Sequence, residues 1–173
     1  MEKRSNETVS MFSPLKVFAM ILFNQICAAV LLLSLTLCLQ CAGAIMLIEW
    51  LKRVLSRDVH NRGPVCSATL VVKSAVAIVI LHGLVILLWA SFYRTHCFRS
   101  WELAFYFSAS SYSILGYGDL ILPSEWRLLG PLEGIIGVLM SGISVSVLFA
   151  LVTRLLDRDT QSLRTNSTEQ SHA

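Results

Sequence analysis

Charge is scarce in this chain. Only 14% of its 173 residues are Asp, Glu, Lys or Arg, against 55% that are apolar. Soluble domains carry more charge than this, and the balance is that of a membrane protein. The 14 basic and 11 acidic residues nearly balance, and no basic run marks a nucleic-acid surface, so no nucleic-acid partner is expected. Five scattered cysteines, an odd number, provide no disulfide framework. Cys38 and Cys41 have redox-motif spacing but fall in an apolar run, where they read as small helix residues. His96-Cys97 has no neighbouring ligands with which to hold a metal. Paired carboxylates, a metal cluster, a nucleotide loop and an internal repeat are all missing. Nothing in the sequence therefore supports a reading as an enzyme or transporter, and no cofactor is expected.

Long apolar runs take up the space that charge leaves. They fall at about 17–41, 69–92 and 131–155, and each can cross a hydrocarbon core of ~30 Å, which takes ~20 helical residues. The fold class is therefore an all-α membrane protein with three transmembrane helices, surrounded by lipid. Residues 1–16 form a polar N-terminal segment. The first run is too long for the ~7–15-residue apolar region of a signal peptide, despite the small residues Ala42-Gly43-Ala44 after it. It reads as a retained helix whose pattern continues to about Arg57, with Trp50, Lys52 and Arg53 at the water boundary. Asn6 and Asn166 open glycosylation-like triplets, a pattern that arises often by chance. Asn61-Arg62-Gly63-Pro64 is a loop.

The second run ends in an aromatic belt of Trp89, Phe92 and Tyr93. A polar turn follows, then Ser100 as an N-cap and Glu102 in the first turn of a helix from Trp101 to about Tyr112. That helix is too short to span, and between two spans it reads as re-entrant. The third run starts at Gly130-Pro131, and the tail from about Asp157 is expected to be disordered.

Between the short helix and the third run lies Ser113-Ile114-Leu115-Gly116-Tyr117-Gly118-Asp119. Gly116 and Gly118 accept positive φ at little steric cost, which a loop needs if its carbonyls are to turn towards one axis. Outer helix, re-entrant helix, Gly-Tyr-Gly-Asp loop and inner helix together resemble the pore module of potassium channels, over about residues 69–155. The resemblance implies a re-entrant pore helix and a selectivity-filter loop in which Ser113, Ile114, Leu115, Gly116, Tyr117 and Gly118 present carbonyls to K⁺. It implies that Tyr106 and Phe107 brace the filter, that Asp119 is the acid just outside it within reach of the Tyr106 hydroxyl, and that Gly142 is an inner-helix hinge. K⁺ is then the permeant ion, and no other metal is implied. The family's Thr-Val before Gly-Tyr-Gly is Ile114-Leu115 here, so an apolar ring replaces hydroxyls at the innermost ion site. This departure supports an alternative, a non-conducting interaction protein that keeps the pore fold.

The chain then divides into the polar segment 1–16, an extra helix with its loop at 17–65, a pore module at 66–156 and a tail at 157–173. One filter loop per chain requires a homotetramer to enclose an axis. Gly137, Ser141, Ser144 and Leu148 share a helical face and are the expected cavity lining. A filter mouth facing outward at the plasma membrane places the N-terminus outside and the C-terminus inside, with eight of the 14 basic residues inside. In that topology His82 and the amides of Asn24 or Gln25 reach similar depth, which predicts that they pair.

Overall fold

The computed structural model describes the backbone of residues 2–57 and 64–171, and the side chains of 16, 18–54 and 67–157. Four helices form: α1 (Glu2–Arg57), α2 (Pro64–His96), α3 (Trp101–Tyr112) and α4 (Leu129–Ser171). No strand occurs among the described residues. Three stretches are long and apolar enough to cross a membrane, Phe18–Val54, Ser67–His96 and Leu129–Asp157. The chain is an all-α multi-pass membrane protein. The loop at 61–63, Cys66 and the two glycosylation-like triplets lie outside the described side chains.

Helix α3 has the expected bounds, and Ser100 caps it by accepting the Leu103 N–H at 3.2 Å. Helix α4 differs from expectation, continuing to Ser171 where disorder is expected from about 157. The physical reason is that neither Gly nor Pro follows Gly142, so nothing in the sequence breaks the backbone ladder.

Two compact units form, one from residues 1–39 and 85–138, the other from 40–84 and 139–173. In the first, α1 presents a single stripe of Gln25, Ala29, Leu32 and Thr36, all buried. Thr36 Oγ1 accepts the Trp89 indole N–H at 2.9 Å, fixing α1 against α2. Phe18, Met20, Phe23 and Val30 stay exposed, as the outer sides of a membrane helix do. In the second unit, Leu70, Leu151 and Leu155 form a core with Trp50, Leu51 and Val54 packed on it.

The polar residues of the spans do not pair as expected. His82 Nε2 lies 2.9 Å from Ser144 Oγ, which also accepts Gln40 Nε2 at 3.3 Å. The α1 amide that shares a partner with His82 is therefore Gln40, not Asn24 or Gln25. Helix α2 runs on to His96, so His82 is deeper than its distance from Trp89 implies.

Candidate functional site

The loop after α3 is built by the way that helix ends. Ser113 is its C-cap (φ −83°, ψ −1°), and Ile114 turns to φ +60°. The Ile114 N–H bonds the Ser111 carbonyl and the Leu115 N–H bonds the Ser110 carbonyl, both at 3.0 Å. This is a Schellman motif, with an isoleucine at the left-handed position that glycine usually holds. A β-branched residue there is strained by roughly 1–3 kcal/mol. Gly116 follows at φ +51° and Gly118 at φ +78°. Leu115 and Tyr117 between them do not share the positive φ. The sign of φ therefore alternates from Ser113 to Gly118.

Every residue from Ser113 to Asp119 is exposed in the single chain, with Leu115 at 60% and Tyr117 at 66%. One flank is held by Tyr106, whose ring stacks on Tyr117 with centroids 6.2 Å apart and planes at 9°. Burial first, then a hydrogen bond to Asp119, pushes the Tyr106 hydroxyl above its ordinary pKa. Phe107 faces elsewhere. It meets Tyr93 edge-on at 5.1 Å and lies 5.5 Å from Phe98. Neighbouring helix residues project about 100° apart at 3.6 per turn, so the two rings meet different partners within the chain.

The short helix that carries the loop is held by a residue that sequence reasoning passed over. Glu133, in the first turns of α4, is fully buried. Its Oε2 accepts the Tyr93 hydroxyl of α2 at 2.9 Å, and its Oε1 accepts the Ser108 hydroxyl of α3. Ser108 Oγ also lies 3.0 Å from the Ile86 carbonyl. One carboxylate thus ties the short helix to both long ones. Burial and then the Glu133 charge push the neighbouring Tyr112 hydroxyl up to about 12. The signal available in sequence is a lone acid within an apolar helix, which needs partners. Gln25 has a similar unforeseen place: it donates to the Ser124 carbonyl at 3.4 Å and accepts the Leu128 N–H at 3.3 Å, bracing the segment after the loop.

The four residues of the expected lining face of α4 are not equally open in the single chain. Gly137 and Ser144 are buried, Gly137 beneath the Tyr112 carbonyl and Ser144 against His82 and Gln40. Leu148 is half-buried, and only Ser141 of the four is exposed. The buried stripe runs through Glu133, Ile136, Met140, Ser144, Leu151 and Leu155, so this side packs within the protein. Gly142 faces open space, and Leu139, Ile143, Ser146 and Ala150 are exposed with it.

The site is thus an exposed loop of alternating φ, carried on a short helix between two spans. Residues 70–154 match a family described as ion channel. The matched ion channel segment begins in α2, takes in α3 and the whole loop, and ends in α4. It leaves α1 outside. No curated protein and no solved structure matches the chain significantly. Among the described residues, no group of three or more His, Cys, Asp or Glu side chains is placed to hold a metal.

Proposed function

We propose that the chain forms a homotetrameric channel selective for K⁺ in the plasma membrane, without enzymatic activity. The observation that carries this reading is the positive φ at Ile114, Gly116 and Gly118, alternating with ordinary backbone at the residues between. Such alternation turns successive peptide planes the same way, so carbonyls line up along one side of the loop. Four loops around an axis then supply the oxygen cage that replaces the hydration shell of K⁺. Exposed Leu115 and Tyr117 provide side chains for neighbouring copies to cover, which supports the tetramer.

Tyr106 and Asp119 hold the outer end of the filter, and Phe107 supports it indirectly through Tyr93. The cavity lining is assigned to the exposed side of α4, through Leu139, Gly142, Ile143 and Ser146, because Ser146 places a hydroxyl there that water can meet. Helix α3 points its partly negative C-terminal end at the cavity and favours a cation. The filter mouth faces outward. Three spans then put the N-terminus outside and the C-terminus inside.

A second reading is a pore fold that no longer conducts. It is favoured by Ile114, whose apolar side chain is 59% exposed where the resembling channels place a hydroxyl. Ile114→Thr distinguishes the two. Under the channel reading it raises K⁺ flux into liposomes or its block by Ba²⁺, because oxygens return to the innermost site. A variant that assembles but lowers both contradicts the role given to this position. Gly118→Ala is expected to abolish the preference for K⁺ over Na⁺, since a Cβ opposes the backbone at φ +78°. Retained preference in that variant would exclude a carbonyl filter.

A further inference from the structure

A groove of about 490 Å³ opens between α1 and α2, lined by Gly43, Met46, Leu47, Leu81 and Leu84, with Trp50 and Lys73 also on its wall. Its volume lies within the ~300–1,000 Å³ of small-molecule sites. The glycine helps to shape it: a Cβ at Gly43 would come within 2.5 Å of the Leu81 side chain, so α1 and α2 approach closely here. The wall is almost wholly apolar, and Lys73 is its one charged residue.

Lys73 lies within the span Ser67–His96. Among the described residues no carboxylate pairs with it, the one ion pair being Arg53 with Glu49. A lysine inside a membrane helix normally finds an anionic partner or extends to the headgroup layer. Trp50 marks that layer, since tryptophan settles where hydrocarbon meets water, and Lys52 and Arg53 follow it. From Trp50 to Gly43, α1 descends seven residues, or ~10 Å at 1.5 Å per residue. The groove therefore has a cationic end at headgroup level and an apolar end in hydrocarbon.

We infer that this groove is a binding site for an anionic phospholipid, with the phosphate on Lys73 and one acyl chain along Gly43, Leu81 and Leu84. The occupant is a lipid because the groove opens within the apolar spans. It is anionic because the wall carries a cation and no acid. The site uses no residue of the filter loop, so it stands whether or not the protein conducts.

The test is native mass spectrometry of the full chain taken from mixed vesicles of phosphatidylglycerol and phosphatidylcholine in equal amounts. One lysine near the surface predicts about a fivefold preference for the anionic lipid. Lys73→Gln is expected to remove that preference, and Lys73→Arg to keep it. Ala77→Phe, which fills the groove from its wall, is expected to lower retention of both lipids. Equal retention of the two lipids by the wild-type chain overturns the proposal without need of any variant. A preference that survives Lys73→Gln overturns it too, assigning the lipid to another surface.

Discussion

Gly137→Ala is expected to displace the short helix and to disable the filter with it. The added Cβ would fall on the Tyr112 carbonyl oxygen and within 3.1 Å of the Tyr112 carbonyl carbon. Backbone cannot rotate aside as a side-chain end can, so α3 or α4 must shift. Overpacking of this kind costs about 1–3 kcal/mol, and the loop proposed as the filter begins at the residue after Tyr112. Thermal unfolding in detergent should therefore occur at lower temperature, and ion selectivity should fall. Gly142→Ala is the control. Its Cβ meets nothing within 4 Å, and replacing Gly in a helix gains about 1 kcal/mol. It should leave stability unharmed. A change in open probability alone would mark Gly142 as a hinge. If Gly137→Ala proves as harmless as Gly142→Ala, the close packing of α3 on α4 does not hold the filter.

Glu133→Ala should be the second large loss. It orphans the Tyr93 hydroxyl inside the protein and leaves the Ser108 hydroxyl only the Ile86 carbonyl as acceptor. An unsatisfied buried polar group costs about 1–3 kcal/mol, and the truncation also leaves a cavity. Glu133→Gln should cost less, because the amide oxygen still accepts one hydroxyl while its NH₂ group can donate to the other. The ordering expected from thermal unfolding is wild type, then Gln, then Ala. Equal stability of wild type and Glu133→Ala would contradict the role of this carboxylate as a tie between three helices.

Much of the architecture is legible in the sequence because membrane helices advertise themselves by length. The bounds of α3 follow from a polar turn, a serine cap and the glycines beyond. The positive φ at Gly116 and Gly118 is readable from residue type. That of Ile114 is not, because a β-branched residue gives no sign that a helix C-terminus will force it left-handed. The rotation of α4 is equally hidden. Exposed Ile135, Val138, Ile143 and Phe149 are as apolar as buried Ile136 and Met140, so no amphipathic stripe tells one side from another. Partners of buried polar groups depend on helix register: Gln25 could not be assigned to Ser124 and Leu128 from depth alone.

The most direct test of the account is cation flux through the purified wild-type chain in liposomes, K⁺ against Na⁺, with assembly state measured on the same sample. Tetramers that pass K⁺ and largely exclude Na⁺ are the predicted result. Tetramers that pass both ions equally, or neither, would contradict a K⁺-selective carbonyl filter at residues 113–118.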